Sequence, residues 1–431
     1  MKVLLLGGGG REHAIAWALE RSGKVERLDC APGNPGIAKL ATCHEIDPCD
    51  PAAVLDLAVA LGDDHVVVGP EAPLVAGVAD KLREAGIRVF GPGKSGARLE
   101  GSKAFAKTFM KRHGIPTAPF DIVTDMAQAR EALSRRNAPF VVKADGLAAG
   151  KGAFLPETLE EALKTCHALL VEGALGEAGR TIVIEDYLPG SEITVLAVTD
   201  GKTVRQLPSS QDHKRAFDGD RGPNTGGMGA YTPVPWADEA FLEKVTVTIL
   251  EPTVAGLAAD GIDFTGVLYA GLMVDAERNC RVLEYNVRLG DPEAQVVLRA
   301  FPGDWGEVVE ACCAGDLASL LWKDPSESAL GIVMASGGYP GEYRKGHLVL
   351  GIEQAEAVEG VTVFQAGTRI MPDFGLVTSG GRVLTVVAKA PDLACAKARA
   401  YEAASRIAFA DAFFRTDISW KAGTPPWPVN S

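Results

Sequence analysis

The sequence predicts an α/β protein with a doubly wound parallel sheet at its N-terminus, and three features predict it. Short apolar strands alternate with helical stretches through the first hundred residues, the pattern of a parallel sheet with helices on both faces. Glycine- and proline-rich turns follow the strands, at Gly7-Gly8-Gly9-Gly10, Ala31-Pro32-Gly33-Asn34 and Gly69-Pro70-Glu71-Ala72-Pro73. From about residue 330 the texture changes to short strands with glycine turns and one closing helix. That change predicts a smaller mixed α+β domain.

The elements follow in order. Residues 3–6 form an apolar strand; the run is too short for a signal peptide and passes directly into four glycines. Then come a helix over 12–21, a strand over 26–31, a helix over 51–61, a strand over 65–69, a helix over 74–85 and a strand over 87–90. Ligands of such sheets bind at the carboxyl ends of the strands, where the three turns lie. Gly101-Ser102-Lys103-Ala104-Phe105 opens a further helix, which Gly114-Ile115-Pro116-Thr117 ends. A strand over 140–144 runs into a glycine loop over 146–152. Strands over 181–185 and 193–198 flank a Pro189-Gly190 turn, and polar, glycine-rich sequence fills 208–236. Strands resume at 264–274 and 281–284, then at 331–335, 361–365 and 382–388, before a helix over 389–409.

The 431 residues suffice for two to four domains with large cores. A net charge of −13 argues against a nucleic-acid binder, which needs a phosphate-neutralising surface. No run approaches the roughly 20 apolar residues that span a bilayer. The eight cysteines show no CxxC spacing and read as reduced core residues, which favours the cytoplasm.

The strand near 281–285 carries the most telling side chains. Positions i and i+2 share a face, so Glu284 and Asn286 present two oxygen donors together. Such a pair suits Mg²⁺, which completes its shell with water and phosphate oxygens. Arg288 is a fixed cation for an anionic oxygen, and Gly290 and Pro292 then force a turn. A solvated edge strand would account for Glu284 alone; the cluster ending in Asp291 and Glu293 favours the metal. As part of an acidic cluster, Glu284 should lose its charge with little effect on unliganded stability, or a slight gain.

Other motifs remain open at this level. Gly7-Gly8-Gly9-Gly10 fails the dinucleotide fingerprint, because Glu12 or His13 stands where its last glycine belongs. The helix that follows still offers its N-terminus to a phosphate, unless the turn merely joins strand to helix. The 146–152 loop fails the Walker pattern, with three residues between Gly146 and Gly150 and Gly152 after Lys151. Lys143 ends an apolar strand and needs an anionic partner, either a phosphate or a structural carboxylate. The acidic turn after 182–185 could read an adenine and Glu192 a ribose, although on spacing alone a solvated strand end is the favoured reading. The long 209–229 stretch is too long for an idle loop. His213 within it reads as a satisfied surface histidine without a catalytic role.

In this order the motifs resemble the ATP-grasp superfamily and, within it, the family of phosphoribosylamine–glycine ligases. The resemblance is carried by Gly9-Gly10-Arg11-Glu12-His13-Ala14, Gly69-Pro70-Glu71-Ala72-Pro73-Leu74, Leu99-Glu100-Gly101-Ser102-Lys103, the 143–152 run, Ser210-Gln211-Asp212-His213-Lys214-Arg215, the 223–229 run, Leu268-Tyr269-Ala270-Gly271-Leu272, the 288–293 run and Gly337-Gly338-Tyr339-Pro340-Gly341. It implies a pre-ATP-grasp substrate domain over 1–100, a connecting helix over 101–117, and a two-lobed ATP-grasp module. The small lobe would span 118–191 with the glycine loop, the large lobe 192–327 with the metal and catalytic residues, and a C-terminal domain 328–431.

The resemblance also implies a reaction: ATP, glycine and 5-phosphoribosylamine give ADP, phosphate and glycinamide ribonucleotide through glycyl phosphate, in purine synthesis. Lys103, Lys143, Gly150, Lys151 and Gly152 would hold the ATP phosphates. Glu185, Tyr187 and Leu188 would line the adenine pocket, with Glu192 at the ribose. Glu284 and Asn286 would hold Mg²⁺ or Mn²⁺. Arg288 and Asp212 would be catalytic, with Gly10, Glu71, Asp212, Gly290, Asp291, Pro292 and Glu293 facing the substrates. The implied partners are these small molecules and a transient contact with the preceding pathway enzyme. A monomer or weak dimer is expected, with no nucleic acid and no membrane. The chain departs from the pattern at Ser191-Glu192-Ile193-Thr194, at Asn286-Val287-Arg288-Leu289, and at Gly271-Leu272-Met273, where many relatives carry a second metal-binding glutamate. Two rivals are another ATP-grasp ligase or carboxylase of purine synthesis, against which the 212–215 and 288–293 runs argue, and a non-catalytic nucleotide-binding module, against which Glu284, Asn286 and Arg288 argue.

Overall fold

The computed structural model describes residues 1–146 and 152–427 of an α/β protein. Gly150 and Lys151, expected at the ATP phosphates, lie outside the described residues. The N-terminal sheet is fully parallel, in the order Thr42–Cys43, Arg27–Pro32, Lys2–Gly7, His65–Val68, Arg88–Phe90. The chain starts at the centre, winds to one edge, then returns to the other side of its first strand. The crevice of such a sheet opens where the winding reverses, beyond Gly7 and Val68. Val3, Leu4, Leu5 and Leu6 are all fully buried, as a central strand covered on both faces requires.

The expected helix over 74–85 is two helices, Glu71–Ala76 and Val78–Glu84. Gly77 separates them at φ +89°, a left-handed conformation that ends the first helix. The first therefore starts earlier, so Glu71 occupies its N-terminal turn. A further helix, Lys94–Gly101, precedes the expected one at Lys103–Arg112. It buries few large apolar groups, which is why periodicity misses it.

Residues 120–186 build a four-stranded antiparallel sheet in the order Phe120–Val123, Ile182–Asp186, Phe140–Ala144, Ala153–Phe154. The helices Met126–Ser134 and Leu159–Leu170 cover it around a separate core that includes Leu133, Val142, Leu169 and Ile184. A second antiparallel sheet runs Val204–Gln206, Ser191–Thr199, Gly266–Val274, Cys280–Asn286. Its last pairing is bulged. Gly271 faces Glu284 while Leu272 faces Val282, so Leu283 has no cross-strand partner.

The third sheet draws on distant parts of the chain. Its order is Gln211–Asp212, Gly229–Thr232, Ser328–Ser336, Arg382–Ala390, Val361–Gln365, with Ala412–Phe413 also paired to Ser328–Ser336. Two strands of the glycine-rich 208–236 stretch thus continue the C-terminal sheet. The closing helix is Leu393–Ala404, shorter than expected; the preceding strand runs to Ala390, and Asp392 caps the helix by accepting from Cys395 N–H. Among the described residues no helix is long and apolar enough to cross a membrane.

Candidate active site

The Cys280–Asn286 strand delivers its polar face to the mouth of the N-terminal crevice. Arg288, just beyond it, is gripped from two sides. Its Nη2 donates to Glu100 Oε1 at 2.7 Å and Asn286 Oδ1 at 3.2 Å, and its Nε donates to Glu71 Oε2 at 3.2 Å. Glu100 also accepts Val287 N–H at 2.9 Å. Burial alone would lower the Arg288 guanidinium, but Glu100 and Glu71 raise it further above its usual value. Burial likewise pushes the Glu71 carboxyl up, yet Arg288 and Arg11 outweigh it and hold it below the usual range. Asn286, Arg288 and Glu71 therefore meet at one point. Glu100, absent from the expected site, joins them from 188 positions away in the chain.

Glu284 faces cations. Burial works against its charge, but Lys214, Lys143, Lys103 and Arg288 hold the carboxyl below its ordinary value. This reverses the acidic neighbourhood read from the sequence, because Asp291 and Glu293 turn to other partners. Glu293 is 3% exposed, and its Oε1 accepts from Tyr269 O–H at 2.8 Å. Burial, reinforced by Glu293, raises the Tyr269 phenol well above its usual value and keeps it a donor. Asp291 pairs with Arg382 Nη2 at 3.3 Å and accepts Gln295 Nε2 at 2.9 Å.

Among the described residues no three His, Cys, Asp or Glu side chains converge to hold a metal. Glu284 and Asn286 supply one carboxylate and one neutral oxygen. A charged Glu284, with the Asn286 amide oxygen on the same strand face, suits a hard cation whose remaining shell would be filled by water or other oxygens.

Asp212 ends the Gln211–Asp212 strand beside this face. Burial, joined by the negative charges of Glu293, Glu192 and Glu284, pushes its carboxyl up to about 7 against the pull of Lys214. Lys214 Nζ lies 2.7 Å from Glu192 Oε2, so the expected ribose contact is already ion-paired. His213 points the other way: its Nε2 accepts Ser419 N–H at 3.1 Å, and burial pulls it down to about 3. It is neutral, and it is buried rather than on the surface as expected, because it holds the C-terminal segment.

The glycine turn of the first strand is filled by Glu12. A Cβ on Gly7 would sit 2.5 Å from Glu12 Cγ, and Glu12 Oε2 accepts Gly9 N–H at 2.7 Å. The residue that breaks the dinucleotide fingerprint thus plugs the turn from below. Gly10 packs on Gln295, whose Nε2 would be 2.7 Å from a Cβ there. The same Gln295 holds Asp291, which brings Gly10 and the 290–293 turn together. Arg382 donates from Nη1 to Asp291 O at 2.7 Å and Gly226 O at 2.6 Å, tying two loops from the C-terminal domain. A side chain at Gly290 would collide with the Glu293 carboxylate, and one at Gly227 with the Pro292 ring.

At the far end of the face, Lys103 Nζ donates to Gly146 O at 3.4 Å, at the first residue of the glycine loop. Lys143 has the carboxylate partner that its sequence left open: its Nζ lies 3.0 Å from Glu185 Oε1 and donates to Leu283 O at 3.1 Å. Glu185 is 2% exposed, and its side chain turns to lysines rather than to an open adenine pocket. Tyr187 is exposed and Leu188 buried at the turn between Ile182–Asp186 and Ser191–Thr199. Gly152 accepts Ala144 N–H at 2.8 Å and anchors the returning end of the loop. Sequence reasoning missed Glu100, Lys214, Tyr269 and Arg382. Glu100, Lys214 and Tyr269 lie inside quoted motifs, so position flagged them, but only long-range contacts assign them work.

Comparison with known proteins identifies the family. Three family models of phosphoribosylglycinamide synthetase match in tandem: the N domain over residues 1–100, the ATP-grasp (A) domain over 101–294 and the C domain over 329–421. The phosphoribosylamine–glycine ligase of Brucella melitensis biotype 1 is 47% identical over 424 residues, 98% of each chain. That of Streptomyces coelicolor is 48% identical over 427 residues, covering 98% of this chain and 99% of its own. The crystal structure of the Thermotoga maritima phosphoribosylamine–glycine ligase superposes with a TM-score of 0.84 at 34% identity, covering 97% of this chain and all of the other. The chain belongs to the phosphoribosylglycinamide synthetase family of ATP-grasp proteins, and it is a ligase.

Proposed function

We propose that the enzyme joins glycine to 5-phosphoribosylamine with ATP, releasing ADP, phosphate and glycinamide ribonucleotide. The observation that carries this reading is the charge layout of the face. The positive charges of Lys103, Lys143, Lys214 and Arg288 all act on one carboxylate, Glu284, a cationic face of the kind that a metal-bound triphosphate and a second carboxylate require. In this reading the glycine carboxylate attacks the γ-phosphorus of ATP, the bond to the β,γ-bridging oxygen breaks, and ADP leaves glycyl phosphate. The amine then attacks the glycyl carbonyl carbon; inorganic phosphate departs and the amine gives up one proton.

Lys103 and Lys143, with Gly150, Lys151 and Gly152 of the loop, hold the phosphates. Tyr187 and Leu188 border the base, and Glu192 the ribose. Arg288 offsets the charge of the moving phosphoryl group, the largest kind of catalytic contribution in such sites. Glu284 and Asn286 would hold Mg²⁺ or Mn²⁺, which supplies neutralisation of phosphate charge when bound. Asp212, pushed up to about 7 by burial and its acidic neighbours, is tuned to accept the amine proton near neutral pH. Gly10, Glu71 and the turn Gly290-Asp291-Pro292-Glu293 face the substrates. The eight cysteines are all free, which supports a reducing compartment, the cytoplasm.

A coupled assay of ADP release tests the proposal. Release should require ATP, a divalent metal, glycine and freshly generated phosphoribosylamine together, with alanine a poor substitute. Equal turnover with bicarbonate in place of glycine would overturn it.

A further inference from the structure

Behind the phosphate end of the face, two lysines share one carboxylate and the charges do not cancel. Lys107, on the Lys103–Arg112 helix, is 2% exposed. Its Nζ lies 2.8 Å from Glu185 Oε2 and donates to Thr117 Oγ1 at 2.7 Å. Lys143 takes the other oxygen, Oε1, at 3.0 Å. Thr117 in turn donates to Val282 O at 2.7 Å, and Lys143 donates to the carbonyl of bulged Leu283, the residue before Glu284. The triad thus spans the seam between the two ATP-grasp lobes, from helix and small-lobe sheet to the Glu284 strand.

One lysine would suffice to pair a buried Glu185. A second buried ammonium adds a desolvation cost that pairing does not require. Burial pulls Lys107 down to about 8 against the attraction of Glu185, which leaves it charged at neutral pH. Burial opposes the charge of Glu185, but Lys143 and Lys107 hold its carboxyl below the ordinary range. Two positive charges against one negative leave the triad with a net single positive charge.

We propose that Lys107 is a positioning residue for the nucleotide: it neutralises Glu185 from behind, so that Lys143 keeps an uncompensated positive charge for the phosphates of ATP. This rests on the reading that Lys143 faces those phosphates. Without Lys107, Glu185 would draw on Lys143 alone and the pair would be neutral.

The test is calorimetric binding of MgATP and MgADP to the full chain, with folding checked by circular dichroism and thermal melting. Lys107→Met should weaken MgATP binding by about tenfold or more, as the loss of one nearby charge predicts. Glu185→Gln added to Lys107→Met should bring affinity back to within about threefold of wild type, because Lys143 again carries the net charge. Glu185→Gln alone should bind as tightly as wild type or more tightly. A purely structural triad predicts that the double variant binds no better than Lys107→Met; that result, or wild-type affinity in Lys107→Met, overturns the proposal. Should Lys107→Met fail to fold, Glu185→Gln decides, and binding weakened by more than about threefold refutes it. Neither glycine nor phosphoribosylamine enters this experiment. The order of affinities can therefore hold while the ligase assay fails, or fail while glycine-dependent ADP release holds.

Discussion

Replacing Arg288 with methionine should cost both stability and turnover, and the two losses should separate. The guanidinium lies 2.7 Å from Glu100 Oε1 and 3.2 Å from Glu71 Oε2, with side-chain exposures of 17% for Arg288, 6% for Glu100 and 30% for Glu71. Methionine fills much of the volume but leaves Glu100 a nearly buried carboxylate with Val287 N–H as its remaining donor. Breaking a buried pair from one side costs about 3–5 kcal/mol. The surviving N–H bond and the partial exposure of Arg288 put this case near the lower end, about 3 kcal/mol. Denaturant and thermal melts of the unliganded protein measure it. Turnover should fall by about 10²–10³, the loss expected for one preorganised charge on a transferring group. Adding Glu100→Gln removes the stranded charge and should recover most of the stability, and none of the turnover. Undiminished stability in Arg288→Met would refute the assigned ion pair. Recovered turnover in the double variant would show that Arg288 acts by holding Glu100 rather than by meeting the phosphoryl group.

Two further outcomes concern other ionisable groups. Glu284→Gln should lower turnover by about 10²-fold. It should also lower unliganded stability by roughly 1 kcal/mol, because the positive charges of Lys214, Lys143, Lys103 and Arg288 together favour the ionised carboxylate; a melting point equal to or above wild type would refute that environment. The second outcome concerns acid. His13 Nδ1 accepts Gln365 N–H at 2.8 Å and His213 Nε2 accepts Ser419 N–H at 3.1 Å, so both histidines hold the C-terminal domain in neutral form. Burial lowers them from 6.5 to about 4 and about 3. The unfolded chain therefore binds these protons first. Their stabilisation is complete above the unfolded value and is lost as pH falls from there toward the folded values, by roughly 1.4 kcal/mol per pH unit for each histidine. Denaturation at pH 6.5 and pH 5 should show that slope, and His13→Gln with His213→Gln should flatten it. An unchanged slope in the double variant would exclude these groups.

Much of the architecture was legible because it is local. Apolar runs of strand length between helical stretches mark the parallel sheet without knowledge of any contact, and the period of two places Glu284 and Asn286 on one face. The failed dinucleotide fingerprint at Gly7-Gly8-Gly9-Gly10 was legible too, and Glu12 packed under that turn is its physical reason. Charge compensation was not legible. Lys143 read equally well toward a phosphate or a carboxylate, and the fold brings it Glu185 while leaving a second lysine, Lys107, to balance that acid. Glu284 read as part of an acidic cluster because Asp291 and Glu293 follow it in the chain. The tertiary structure sends those two to Arg382 and Tyr269 and turns Glu284 toward lysines. Sheet membership was hidden for the same reason. The strands Gln211–Asp212 and Gly229–Thr232 pair, directly or through one another, with Ser328–Ser336, about a hundred residues onward. Backbone pairing and the balance of buried charge depend on which groups meet in space, and sequence spacing carries that information only within one strand or one turn of helix.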